Sequence, residues 1–266
     1  MRLTSLASVG ARTADLGWQI DQALLSPPAA AVILVGANDV THRVAIAESV
    51  QLLAVAVRRL VAAGCVVVVG TCPDLGTVRP IPPPLRQLAR YWSRQLAAAQ
   101  TVAVVEAGAR SVSMSTALGP EFDAAPAEFF GPDRFHPSAA GYASVAAALL
   151  PSVAAALGLV PAEEEEFEPL RGEGVLPVAY AAVEAANTSG TEVARAQVDG
   201  AEEGPRGRWA LLRHRRHRPP PDVERAEGGA PGEPSSSESQ GLPQPITSGT
   251  LDTPDAQEAR DGFEPL

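Results

Sequence analysis

Long apolar runs are missing from this chain of 266 residues. No stretch approaches the ~20 consecutive apolar residues of a membrane-spanning helix, so we predict no transmembrane segment. The first residues also lack the apolar core of a signal peptide. The chain as given is therefore expected in the cytoplasm, although a sequence incomplete at its N-terminus would hide a secretion signal.

Lysine is absent and cysteine is rare. Every basic residue is an arginine, and because the chain is also rich in Ala, Pro and Gly we attach no functional meaning to this bias. Cys65 and Cys72 flank the end of a predicted strand, and a rise of about 3.3 Å per strand residue holds them too far apart for easy bridging. We therefore expect two buried free thiols.

Composition divides the chain into two parts. Residues 159–266 are rich in Glu, Gly, Pro, Arg and Ser and hold about two thirds of the 31 acidic residues. We predict one domain over 1–158 and a mostly disordered acidic tail over 159–266, within which 175–186 can form a short helix. A basic cluster at 206–218 could contact nucleic acid or anionic lipid, but solvation or pairing with nearby acids is favoured, so no nucleic-acid partner is expected.

Apolar runs and helical periodicity alternate along the predicted domain. Strands are predicted at 3–9, 31–35, 65–70 and 101–106. Helices are predicted at 13–25 (with Thr13 as N-cap), 44–63, 85–100 and 138–157, the last kinked or broken at Pro151. Doubly buried strands that alternate with helices predict a parallel sheet covered on both faces. Such sheets bind ligands beyond the carboxyl ends of their strands, where the polar motifs of this chain lie.

An Asp and a His stand ahead of the last helix, in Asp133-Arg134-Phe135-His136-Pro137. At this spacing the carboxylate of Asp133 can accept from the imidazole of His136 and hold its tautomer, which leaves the second nitrogen to take a proton. A helix N-terminus with an incidental histidine explains the same residues. The spacing alone does not decide between the two.

Two further motifs follow predicted strands. In Gly36-Ala37-Asn38-Asp39 the Asn38 amide can donate to an oxyanion, although Gly, Asn and Asp also suit an ordinary turn. Gly10 lies at a strand-to-helix turn, where its N–H could be a second oxyanion donor or the glycine could serve the turn alone. Each motif by itself is weak evidence for an oxyanion site.

Taken together and in this order, the motifs resemble the SGNH/GDSL hydrolase family. Its sequence blocks are a Gly-Asp-Ser that carries the nucleophile, a Gly matched by Gly10, a Gly-x-Asn-Asp matched at 36–39, and an Asp-x-x-His before Pro matched at 133–137. The resemblance implies a flavodoxin-like three-layer α/β/α sandwich, hydrolysis of a small-molecule or lipid ester through an acyl-enzyme, and no metal or cofactor. The sequence at 71–75, Thr-Cys-Pro-Asp-Leu, looks most like the actinobacterial branch.

The chain departs from the family pattern in the first block, the Gly-Asp-Ser that carries the nucleophile. No Gly-Asp-Ser occurs in the chain, and only nine residues precede Gly10. Ser5 and Ser8 lie inside the strand predicted before Gly10, so neither can replace the missing serine. The favoured interpretation is an N-terminally incomplete sequence that lacks the first, central strand and is inactive without its serine; the alternative is a non-catalytic relative that binds partners.

The resemblance assigns a role to each matched residue. His136 would act as general base and acid, Asp133 would orient it, and Asn38 with Gly10 would hold the oxyanion. Asp39 is interpreted as structural, and His42 is not taken as the catalytic histidine.

Overall fold

We analysed a computed structural model that describes residues 2–78, 81–115, 125–132, 136–159, 174–196 and 208–215. The chain divides by its contacts into Met1–Pro219 and Pro220–Leu266, and every described residue belongs to the first unit. The described helices are α1 (Leu16–Leu24), α2 (Ala37–Thr41), α3 (Ile46–Ala62), α4 (Leu85–Glu106), α5 (Pro126–Phe129), α6 (Ala139–Ala156) and α7 (Val178–Ala185). The described strands are β1 (Ala30–Leu34), β2 (Val66–Gly70), β3 (Arg110–Val112), β4 (Gly174–Pro177), β5 (Thr191–Arg195) and β6 (Trp209–His214).

Within the described residues the strands form one sheet in the order β1-β2-β3-β5-β6-β4. The pairs β1–β2 and β2–β3 are parallel, whereas β3–β5, β5–β6 and β6–β4 are antiparallel. The α/β class predicted from the sequence is confirmed, and so is the parallel sheet within the predicted domain, where β1, β2 and β3 are parallel. The sheet as a whole is mixed, because β4, β5 and β6 add antiparallel pairs. The parallel half is the half that carries the sequence motifs.

Helices cover both faces of the parallel half. Val67 and Val69 of β2 pack into a cluster with residues of α1, α3 and α4, and Val68 packs on the other face with Leu149 of α6. Successive strand residues point to opposite faces, so this alternation places α6 across the sheet from α3 and α4. The three-layer arrangement follows from this distribution.

The helices α1, α3 and α6 lie where helical periodicity predicts them, and α6 continues through Pro151 without a break. The strand predicted at 101–106 is wrong, because these residues form the last turns of α4. Thr101, Val104 and Val105 are buried there at helical spacing, and a short apolar run of this kind fits a buried helix as well as a strand.

The strand predicted at 3–9 is also absent. Residues 2–9 have no regular structure, and Leu3 and Val9 are exposed. A strand needs a neighbour to pair its backbone groups. The outer edge of β1 is unpaired within the described residues, and nothing described lies beside it to hold 3–9 as a strand.

The edge strand β1 borders an apolar groove that we call the β1–α6 groove. Only Ile33 of β1 is buried, so the prediction of a strand buried on both faces is wrong here. Val32 and Leu34 are about half exposed and line the groove together with Tyr142, Leu149 and Leu150 of α6. The groove has a volume of about 290 Å³, and an exposed apolar edge strand of this kind readily pairs with another strand.

Helix α6 is apolar enough to be compared with a membrane-spanning helix. Within the described part of the chain it is the one helix that could cross a membrane by length and composition, which corrects the expectation that no stretch passes this test. One such helix is a weak indication of a span. Its inner side packs on β2 and β3, as the helix of an α/β layer does.

The sheet continues well past the predicted domain end at residue 158. Strands β4, β5 and β6 come from the predicted tail and, with α7, bury a cluster that includes Val178, Val193 and Leu212. Helix α7 lies within the predicted 175–186. The tail beyond residue 215, predicted as disordered, lies outside the described residues.

A buried carboxylate joins this added half to the parallel half. Glu192 of β5 is 1% exposed and accepts from Arg110 Nη1 at 2.7 Å and from Arg215 Nε at 2.8 Å. Arg110 belongs to β3, and Arg215 follows β6. The ion pair therefore connects three neighbouring strands, and Arg215, from the predicted basic cluster, pairs with an acid of its own domain.

We predict that Glu192→Ala lowers the free energy of unfolding by about 3 kcal/mol, the low end for a broken buried pair, because Arg110 retains partial access to solvent. Urea unfolding followed by circular dichroism measures the change. Asp21→Asn is the matched control: it breaks an exposed pair with Arg59 and should cost about 1 kcal/mol or less. Equal losses in the two variants would contradict the role assigned to Glu192.

Candidate active site

The turn after β1 is held by a close contact with the end of β2. Gly36 has φ +127°, and a Cβ at this position would lie 2.9 Å from Cβ of Cys72. The fully buried Gln100 bridges the two strand ends: its Oε1 accepts from Cys72 N at 2.7 Å, and its Nε2 donates to the Val35 carbonyl at 3.1 Å. Glycine is therefore required at 36, and α2 begins at a fixed point on the carboxyl edge of the sheet.

Asn38 lies in the first turn of α2, and its side chain reaches the Gly10 segment. Asn38 Nδ2 donates to the Ala11 carbonyl at 2.9 Å. An amide nitrogen carries two hydrogens, so the second can serve another acceptor. The structure thus brings together two of the four predicted site positions, Asn38 and the turn that contains Gly10.

Gly10 occupies an exposed turn with φ +78°, closed by a hydrogen bond from Ala11 N to the Ser8 carbonyl at 3.2 Å. Nothing lies within 4 Å of the place that a Cβ would take. The backbone conformation, rather than crowding, favours glycine at this position. The open surroundings leave room for a ligand beside the turn.

Asp39 also holds the Gly10 turn in place, through buried hydrogen bonds from Thr13. Its carboxylate is 1% exposed and accepts from Thr13 N at 3.2 Å and from Thr13 Oγ1 at 2.9 Å. Thr13 Oγ1 also shares a hydrogen bond with Ser49 Oγ at 2.9 Å. Thr13 therefore does not cap its helix as predicted: its hydroxyl bonds to Asp39, and the short helical turn at 13–15 is capped from Arg12.

His136 lies at a bend in the chain shortly before α6. Its carbonyl accepts from Gly131 N at 2.8 Å, and Phe130 and Pro137 form a β-bridge. Ser138 then caps the helix by accepting from Gly141 N at 3.2 Å. The side chain of His136 is exposed, so the turn holds an accessible imidazole at the start of α6.

Asp133 lies outside the described residues, so its pairing with His136 stays a prediction. His42 is an exposed histidine next to Asn38, and its Nδ1 lies 2.8 Å from the Asn38 carbonyl oxygen. Its ring thus contacts the backbone of α2. Among the described residues no group of three His, Cys, Asp or Glu side chains could hold a metal ion.

Residues 2–144 match the GDSL-like lipase/acylhydrolase family. The chain belongs to this family. It is 49% identical over 148 residues to a GDSL-like esterase of Mycobacterium tuberculosis (strain ATCC 25618 / H37Rv), a match that covers 55% of this chain and 47% of that protein. The chain thus spans about half the length of this curated relative.

A variant of an acetyl xylan esterase from Geobacillus stearothermophilus is similar in structure with a TM-score of 0.38 and 19% identity, over 56% of this chain and 69% of the other. This likeness is too distant to bear on the site. The family match over residues 2–144 is what confirms the resemblance drawn from the motifs.

The Thr-Cys-Pro-Asp-Leu segment of this GDSL-like domain is built into the same edge of the sheet. Thr71 Oγ1 accepts from Met114 N at 3.3 Å, and the buried Asp74 accepts from Gly76 N at 2.8 Å and from Arg94 Nε at 3.0 Å. Cys65 and Cys72 are free and buried, as predicted. Burial, with the nearby carboxylates of Asp39 and Asp74, raises the pKa of the Cys72 thiol, which keeps it protonated and unreactive.

Sequence reasoning missed Gln100 and the contacts of Asp39. A lone glutamine in a helix carries no motif, and its two hydrogen bonds join strand ends that are far from it in sequence. The carboxylate of Asp39 was expected to hold its own turn and instead holds the Gly10 turn through Thr13. The signal in the sequence was that Asp39 directly follows Asn38, the predicted oxyanion donor.

Proposed function

We propose that this GDSL-like domain, in its complete form, is a carboxylesterase or lipase-like enzyme that works through a serine acyl-enzyme. The observation that carries the proposal is the hydrogen bond between the Asn38 amide and the Gly10 turn, since it gathers two donors on one edge of the sheet. Membership of an acylhydrolase family and the exposed His136 support it. The chain by itself lacks the Gly-Asp-Ser nucleophile and is proposed to be inactive.

The mechanism assigns one step to each residue. A serine oxygen attacks the ester carbonyl while His136 accepts its proton; His136 then gives that proton to the leaving alcohol as the acyl-enzyme forms. A water molecule then attacks the acyl-enzyme and gives its proton to His136. His136 returns the proton to the serine oxygen as the carboxylic acid is released. Asp133 orients the imidazolium, and the Asn38 amide with the Gly10 N–H stabilises the oxyanion.

The unpaired edge of β1 is where the serine would enter. We propose that a segment preceding residue 1 adds a strand beside β1 and ends in Gly-Asp-Ser. Three observations support this placement: the edge of β1 has no described partner, Val32 and Leu34 are exposed, and the β1–α6 groove is apolar. A strand added there would end at the carboxyl edge, next to Asn38, if it ran parallel to β1.

The test begins with the DNA upstream of the first codon, translated in frame. We expect a Gly-Asp-Ser after an apolar strand, and we refer to the chain with this segment as the extended protein. The extended protein should hydrolyse p-nitrophenyl acetate, whereas residues 1–266 alone should not. Replacing the serine of that Gly-Asp-Ser by Ala should return the rate to background.

Other outcomes have a definite meaning. An in-frame stop close to Met1, or an extended protein that folds but turns over no ester, would contradict the enzyme and favour the non-catalytic binding protein. Turnover by residues 1–266 at the rate of the extended protein would show that the nucleophile lies elsewhere.

A further inference from the structure

A second apolar groove lies beside α2, on the face of the sheet opposite α6. It has a volume of about 210 Å³, and we call it the α4 groove. Its lining comes from α2, from the loop after β2 and from the first half of α4, and includes Val40, Thr41, Leu85, Leu88, Ala89 and Trp92. A space of this size is larger than an acetyl group fills.

The α4 groove opens within one helical turn of Asn38. Thr41 lies three residues after Asn38, on the same side of α2, and its Oγ1 donates to the Asn38 carbonyl at 3.0 Å. Val40, on another side of this short helix, forms part of the groove wall and is buried. Asn38 and the groove-lining Thr41 are thus one turn apart on the same short helix.

Two large leucines on α4 are left open to solvent at this place. Leu85 is 52% exposed and Leu88 is 41% exposed, although both line a concave surface with Trp92. Apolar side chains gathered in a concavity indicate a binding site for an apolar group more than scattered surface leucines do. Arg43, also at the groove, adds a cation at its margin.

We propose that the α4 groove binds the acyl chain of the ester and selects for chains longer than acetyl. The proposal rests on the proposed function, because Asn38 must hold the carbonyl oxygen. The alcohol leaves with a proton from His136, which precedes α6, and α6 packs on the sheet face opposite α4. The acyl side of the carbonyl is then the side that faces the α4 groove.

Binding can be measured on residues 1–266 without catalysis. In a Trp18→Phe, Trp209→Phe background the remaining tryptophan is Trp92, within the groove. Octanoate should change its fluorescence saturably, and acetate should have little effect. Ala89→Phe fills the groove and should weaken octanoate binding about tenfold or more, while Gln87→Phe, which adds the same ring on an exposed part of α4, should leave it unchanged.

The same pair of variants separates this proposal from the catalytic one. In the extended protein, Ala89→Phe should lower kcat/KM for p-nitrophenyl octanoate about tenfold and leave p-nitrophenyl acetate nearly unchanged. Absence of saturable octanoate binding, or equal effects of Ala89→Phe and Gln87→Phe, would overturn the acyl groove. Normal octanoate binding in an extended protein that hydrolyses no ester would instead overturn the proposed function.

Discussion

His136→Ala in the extended protein is expected to lower kcat for p-nitrophenyl acetate by about 10⁴–10⁶-fold. The imidazole carries the proton in both half-reactions, and no other described side chain is proposed to replace it. The substitution should cost little stability, because the side chain is exposed and the turn is held by backbone bonds such as that from Gly131 N to the His136 carbonyl. Steady-state kinetics with urea unfolding measures both effects.

His42→Ala is the matched control for this prediction. His42 is also an exposed histidine, and its ring lies against the Asn38 carbonyl. It has no proton-transfer step in the proposed mechanism, so we expect at most a fewfold change in kcat. Loss of activity in His42→Ala with unchanged turnover in His136→Ala would reverse the assignment of the base.

The parallel half of the fold could be predicted because its signals are local. The run Val66–Gly70 is apolar throughout, and α3 shows a helical repeat closed by Gly64, which has φ +80°. Gly36 and Asn38 follow β1 directly, so this motif and this part of the fold are specified by the same residues. The adjacency of Asn38 and Gly10 does not follow in this way, since residues 2–9 form no strand and the contact depends on the Asn38 side chain.

The antiparallel half could not be predicted in the same way. Strand β5 contains Glu192, and Arg215 follows strand β6. Charged residues of this kind, taken in isolation, indicate an exposed, polar segment. Their burial depends on a partner, Arg110, that lies 82 residues away from Glu192 in the chain. Because the charge of Glu192 is compensated only after folding, composition alone favours a disordered tail.

The segment 3–9 shows the opposite case. Its short, mostly apolar run predicts a strand, but a strand's stability resides in pairing and not in the segment itself. With no described neighbour beside it, the segment stays irregular although its turn at Gly10 is tied to Asn38 through Ala11. The site geometry on this side is therefore held by side-chain bonds more than by the sheet.

Asn38→Asp in the extended protein is expected to lower kcat by about 10²–10³-fold, the usual effect of losing one oxyanion donor. Aspartate keeps the shape of the side chain, but its carboxylate cannot donate and repels the negative charge that develops on the carbonyl oxygen. KM should change little, since the ground-state carbonyl needs this donor less than the oxyanion does. The hydrogen bond to the Ala11 carbonyl is lost as well, so the Gly10 turn should loosen.

Asn187→Asp is the control that isolates the chemistry. Asn187 follows α7, and its Nδ2 donates to a helix carbonyl, that of Val183, at 3.0 Å, so the same change removes a similar bond from an exposed side chain. We expect no change in kcat for this variant. If Asn38→Asp lowered stability as measured by urea unfolding but left kcat within a fewfold of the original, Asn38 would be a structural tie between α2 and the Gly10 turn and not an oxyanion donor. A large fall in kcat with KM and folding preserved would place the developing charge beside α2, where the hydrogen bond to Ala11 holds the amide in position.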